Sequence, residues 1–154
     1  MADMKAELIN PFLESARTVI EQVVNIRPIT GKLGMKQVVT LEDHIWIQIG
    51  MTGQMKGDIF FGFAEHVALK MVSAMMGGFV LAEMNEISRS AISELGNMIS
   101  GNASTMLYNQ GVKVDITPPR VWHSLEEMIV NSQALTIPLQ MEGIGRMDLQ
   151  MLVS

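Results

Sequence analysis

Residues 44–63 read HIWIQIGMTGQMKGDIFFGF, and this stretch decides the fold class. Ile45, Ile47, Ile49 and Met51 alternate with Trp46, Gln48, Gly50 and Thr52, the period of two that marks a half-buried strand. Gly53-Gln54 can turn the chain, and Lys56 to Phe63 returns with Ile59, Phe60, Phe61 and Phe63. The two runs are predicted to form an antiparallel hairpin.

Helical spacing flanks the hairpin on both sides. Upstream, Leu8, Ile9, Phe12, Leu13, Ala16, Ile20, Val23 and Val24 recur at mixed three- and four-residue steps, which predicts an amphipathic helix over 5–25. Pro11 leaves two arrangements open: a first-turn proline with Asn10 as cap, or a kink in a helix that begins earlier. Arg27-Pro28-Ile29-Thr30-Gly31 then stops the helix. Downstream, Ala64 to Met76 carries Val67, Ala68, Met71, Val72 and Met75 at helical spacing, with Gly77-Gly78 as the stop. A longer helix is predicted from about Asn85 to Asn109. After Gly111 come β-prone pieces: Val112 to Ile116, a return beyond Pro118-Pro119 at Val121-Trp122, then Met128 to Met141 and Arg146 to Val153. Gly143 and Gly145 punctuate the last two as a hairpin. The expected class is therefore α+β, an antiparallel sheet with two to three helices packed on it. No Pro/Ser-rich linker divides residues 1–154, so a single domain is expected.

Composition narrows the function. The chain of 154 residues is 48% hydrophobic, enough for one substantial core. Eleven Lys and Arg against sixteen Asp and Glu give a net charge of −5, which repels phosphate backbones and anionic lipid. Neither nucleic acid nor membrane is an expected partner. With no Cys there is no disulfide, thiolate nucleophile or zinc knuckle, and the three His lie too far apart to suggest a local metal motif. The nearest approach to a membrane span, Val67 to Ala82, is interrupted by Lys70, Ser73 and Gly77-Gly78. The start, Met-Ala-Asp-Met-Lys-Ala-Glu, lacks the basic flank and apolar stretch of a signal peptide, so a cytoplasmic location is expected. Fifteen Met and only 18% charged residues point to apolar surface that a second subunit or a partner covers. Long terminal strands with an open edge would invite aggregation, so that edge is expected to be covered.

The helix over 85–109 carries the most information. At 100° per residue, Ile92, Leu95, Ile99, Ala103 and Met106 gather on one side and Ser90, Glu94, Asn97 and Gly101 on the other. Glu94 and Asn97 are three apart and share a face, with Gly101 one turn beyond them. A helix with one buried face must show polar residues to water, and Glu and Asn are ordinary there. Asn, however, is a poor mid-helix residue, and Gly96 and Gly101 each cost about 1 kcal/mol of helix stability relative to Ala. Close packing or docking would explain both.

Three pieces in order carry a resemblance. Ala74-Met75-Met76-Gly77-Gly78, then Ser90-Ala91-Ile92-Ser93-Glu94-Leu95-Gly96-Asn97-Met98, then Val114-Asp115-Ile116-Thr117-Pro118-Pro119 resemble successive signatures of the CheX branch of the CheC/CheX/FliY phosphatases of bacterial chemotaxis. Ser90 is followed after three residues by Glu94, after two more by Asn97 and after twenty-one more by Pro119. The start Ile9-Asn10-Pro11-Phe12-Leu13-Glu14 is similar as well, and the resemblance covers nearly the whole chain.

The resemblance implies a CheC-like fold and an enzyme that dephosphorylates the aspartyl-phosphate of a CheY-like response regulator. It implies Glu94 and Asn97 as catalytic residues, with Ser90, Gly101 and Pro119 as partner-binding positions. Asn97 would hold the attacking water, because an amide both accepts and donates without adding an anion beside the phosphoryl group. Glu94 would pair with the regulator's active-site lysine. No cofactor of its own is implied, the Mg2+ being supplied by the regulator, and CheX relatives form homodimers. A non-catalytic regulator-binding module of the same fold is the alternative, and a structural or small-ligand domain is what composition alone allows. Asp3, Glu7 and Asn10 repeat the acid-Glu-Asn spacing, but Pro11 follows at once and no proline stands at the matching distance, so the copy is read as a coincidence at a helix start. His44, His66 and His123 belong to no constellation. Asp115 is read as organising the Thr117-Pro118-Pro119 turn through backbone bonds, Pro118-Pro119 as shaping the loop beside the active helix, and Met75-Met76 as core.

Overall fold

A computed structural model describes residues 2–38, 43–123 and 133–153. The predicted hairpin is β3 (His44–Gly53) and β4 (Gly57–Ala64), with Ile45 opposite Phe63 and Ile49 opposite Ile59. The returning C-terminal hairpin is β7 (Gln133–Met141) and β8 (Gly145–Val153), turning at Gly143 and Gly145, both at positive φ. The part of its first predicted strand from Met128 to residue 132 lies outside the described residues. β8 inserts beside β4, so the two hairpins fuse into one antiparallel sheet, and short strands complete it at both edges. Two of these, β1 (Ile29–Thr30) and β2 (Gly34–Gln37), line the outer side of β7 and were not anticipated. Their few residues, mostly exposed, show no alternation for a sequence pattern to register.

Two further expectations are corrected at the edges. β5 (Val114–Ile116) and β6 (Arg120–Trp122) do not return on one another: both run antiparallel to β3, one after the other, as a single interrupted edge. Pro118 and Pro119 cannot donate to a ladder, which breaks the strand without reversing it. The long terminal strands are not an open edge either, since β8 is paired on both sides and β7 is flanked by β1 and β2. What remains at the margins is short and interrupted, a common protection against edge-to-edge pairing.

Three helices cover one face: α1 (Ala2–Val24), α2 (Glu65–Met75) and α3 (Glu86–Asn109). α1 starts before Pro11 and runs through it, deciding between the two arrangements, and it ends at Asn25 in the left-handed conformation. α2 ends where predicted, with Gly77 and Gly78 at positive φ and the Gly78 N–H donating to Ser73 O at 2.7 Å. The alternate strand residues Ile45, Ile47, Ile49, Ile59, Phe61, Phe63, Leu139, Met147 and Leu149 pack against Ile9, Phe12, Ile20, Met71, Ile92, Leu95 and Ile99 in one buried cluster. Truncating one of those phenylalanines to Ala would cost about 3–5 kcal/mol. Met75 and Met76 join it half-buried. The opposite face is not bare: Trp46 and Phe60 are buried there with Val38 and Ala134, which is why β4 reads as a nearly unbroken apolar run.

Candidate active site

α3 is fixed at its start by a reciprocal cap. Asn85 Oδ1 accepts from the Ser88 N–H at 3.0 Å, and Ser88 Oγ accepts from the Asn85 N–H at 2.7 Å. From there Ile92, Leu95, Ile99, Ala103 and Leu107 face the core; Leu107, not Met106, completes the stripe, and Met106 is half-buried with Ser15 Oγ donating to its sulfur. The opposite side presents Ser90, Glu94, Asn97 and Gly101, all exposed.

The two glycines divide by role. A Cβ on Gly96 would stand 2.8 Å from Ile47 Cγ2 and 3.0 Å from Pro119 Cβ, so the helix backbone rests directly on β3 and on the proline. Gly101 has nothing within 4 Å of its Cβ position and leaves the outer face open. Asn97, next to Gly96 in sequence, therefore projects from a tightly seated part of the helix. Its backbone carbonyl accepts from Ser100 Oγ at 3.1 Å. Among the described residues neither its side-chain amide nor the Glu94 carboxylate has a partner. Helix geometry sets their Cβ atoms roughly 5–6 Å apart.

A groove of about 360 Å³ opens beside Asn97. Its helix wall is Asn97, Ser100, Gly101 and Ser104, and its sheet wall runs from Val114 to Pro118. Of the five predicted positions, Asn97 and Gly101 line this groove, Glu94 and Ser90 continue the same helix face toward its N-terminus, and Pro119 is half-buried beneath Gly96. Pro118 and Pro119 do lie beside the helix, as expected. Asp115 does not organise the turn: among the described residues its carboxylate has no partner, and it lines the groove, exposed. The turn is held instead by Thr117, which the sequence reading passed over; a hydroxyl immediately before two prolines, neither able to donate, was the available signal.

Other candidates stay apart from this face. The His44 ring lies 3.0 Å from Asp43 Oδ1 and packs against Trp46; that hydrogen bond holds the Asp43 carboxyl below its ordinary range. His66 and His123 are exposed, and among the described residues no group of three acids or histidines could hold a metal. Asn10 is exposed, while the side chains of Asp3 and Glu7 lie outside the described ones. No described helix is long and apolar enough to cross a membrane.

Comparison with known proteins bears on the fold and the family of the chain. The family profile described as chemotaxis phosphatase CheX matches residues 45–140. The CheY-P phosphatase CheX of Thermotoga maritima is 39% identical over 118 residues, 77% of this chain and 76% of that one. The crystal structure of a CheC-like superfamily protein from Shewanella sp. PV-4 superposes with a TM-score of 0.82 at 26% identity, covering 96% of this chain and 97% of that chain. A CheX–CheY–BeF3–Mg2+ complex from Borrelia burgdorferi gives a TM-score of 0.76 at 25% identity, over 94% of this chain and 96% of that one. With α3, the loop beneath it and the β3–β4 hairpin from Ile45 onward inside the matched segment, the chain belongs to the chemotaxis phosphatase CheX family.

Proposed function

We propose that this protein dephosphorylates the aspartyl-phosphate of a CheY-like response regulator. One observation carries the reading: two neighbouring, exposed side chains, Glu94 and Asn97, without a partner among the described residues, stand on a helix seated without clearance on the sheet at Gly96. Surface residues free of internal partners on so rigid a support are organised for an external one.

The chemistry requires little from the phosphatase. A water oxygen attacks phosphorus in line, the bond from phosphorus to the regulator's aspartyl oxygen breaks, the carboxylate leaves with that electron pair, and the water's proton ends on the released phosphate. Asn97 accepts a hydrogen bond from the water through Oδ1 and fixes its direction, an entropic contribution that needs no charge. Glu94 pairs with the regulator's lysine and sets the register of docking. Ser90, Gly101 and Pro119 shape the contact surface. Mg2+ enters with the regulator, and the Borrelia complex, which holds both CheY and Mg2+, supports that assignment.

The deciding experiment adds the protein to a phosphorylated CheY-like regulator from the same genome and follows phosphate release. Acceleration is expected. Binding without acceleration would make the chain a regulator-binding module of the same fold.

The assembly we propose is a homodimer, with an active face on each copy. Ile29, Leu33 and Met35 along the β1–β2 edge are 69%, 40% and 56% exposed, apolar surface that a second copy would cover. Light scattering at micromolar concentration should give twice the mass of one chain; a monomer would refute it.

A further inference from the structure

The candidate site stands on a break in the sheet edge. β5 pairs with Met51, Thr52 and Gly53 of β3, and β6 with Trp46, Ile47 and Gln48. Between them Thr117, Pro118 and Pro119 pass only Ile49 and Gly50, so one residue is surplus, the arrangement of a β-bulge. Neither proline has an N–H with which to rejoin the ladder. Thr117 clamps the break twice: its N–H donates to Gly50 O at 2.9 Å, and its Oγ1 accepts from the Gly50 N–H at 2.8 Å. A side-chain hydroxyl thus takes the place of a ladder carbonyl. The fit is close, since a Cβ on Gly50 would stand 3.2 Å from both Thr117 Oγ1 and Cγ2.

The residues after the clamp form the floor and wall of the site. Pro119 fills the space that Gly96 leaves, and Thr117 and Pro118 line the groove beside Asn97. α3 therefore takes its height at Asn97 from Ile47, which regular pairing with Phe61 fixes, and from Pro119, which sits between the clamp and the paired Arg120.

We infer that Thr117 is a positioning residue, its hydroxyl holding the bulge that seats Pro119 under Gly96 and so aligning Asn97 with the phosphoryl group. The inference rests on the function proposed above. The requirement is an oxygen on Cβ, which serine supplies and valine does not.

Two measurements on Thr117→Val and Thr117→Ser test it. In the isolated protein, Thr117→Val should remove the hydrogen-exchange protection of the Gly50 amide and shift the amide resonances of Gly96 and Asn97, while Thr117→Ser keeps all three near wild type. With phosphorylated regulator at varied concentration, Thr117→Val should lower kcat about tenfold with half-saturation unchanged, because small misplacements of an orienting group cost that much or more. Thr117→Ser should restore the rate. Unmoved Gly96 and Asn97 resonances, or a change confined to half-saturation, would overturn the inference. Should Thr117→Val fail to fold, Gly50→Ala carries the test: it crowds the hydroxyl without removing it, and kcat should fall severalfold, an unchanged kcat counting against the clamp. If the wild type does not accelerate phosphate release, the proposed function fails, and the resonance comparison still decides whether the hydroxyl sets the helix.

Discussion

Gly96 and Gly101 sit five residues apart on one helix, carry the same intrinsic helix cost of about 1 kcal/mol, and have opposite reasons to be there. At Gly96 a side chain would collide with Ile47 and Pro119; at Gly101 it would meet nothing. The inner position lets the helix sit on the sheet, and the outer one keeps a wall of the groove low. The same helix is thus rigid where it is held and bare where it works, with Glu94 and Asn97 on its working side.

The largest expected effect sharpens this division. Asn97→Ala should lower stimulated phosphate release by at least about 100-fold, on the order of 2.7 kcal/mol in the barrier, while leaving the fold intact because Ala is the better helix former. Wild-type rates from the variant would sink the water-positioning role. Gly96→Val probes the inner side: overpacking against Ile47 and Pro119 should cost about 2 kcal/mol, visible as a drop in Tm on the order of 5 °C. An unchanged Tm would mean that the contact yields and that Gly96 is not the seat.

Glu94→Ala should act on encounter more than on chemistry, raising the half-saturation for phosphorylated regulator about tenfold, roughly 1.4 kcal/mol of binding. A lowered maximum with unchanged half-saturation would move Glu94 into the chemical step. The smallest effect is Gly101→Ala, expected to stabilise the isolated protein by up to about 1 kcal/mol in urea titration, while its methyl on the groove wall slightly raises the half-saturation for phosphorylated regulator. Destabilisation there would break the contrast between the two glycines.

Much of this was legible beforehand because it repeats. The hairpin of β3 and β4, the two faces of α3, and the exposure of Glu94 and Asn97 all follow from periods of two and 3.6 residues, which local chemistry imposes on any chain that buries one side. The edge strands β1 and β2 had no such signal, being two and four residues long and paired only because β7 offers an open side. The placement of β7 and β8 within the sheet was likewise hidden, since alternation identifies a strand and not its neighbours.

The sequence by itself determined which residues face outward on α3 and how far apart Glu94, Asn97 and Pro119 stand along the chain, because helical geometry and covalent spacing are local. Only the tertiary structure decided that Gly96 rests on Ile47 and Pro119, that Asp115 opens into a groove, and that Thr117 reaches Gly50, 67 residues away in the chain. Those relations depend on which strands pair and in what register, and register is set by the burial of a whole face at once, which no single segment encodes.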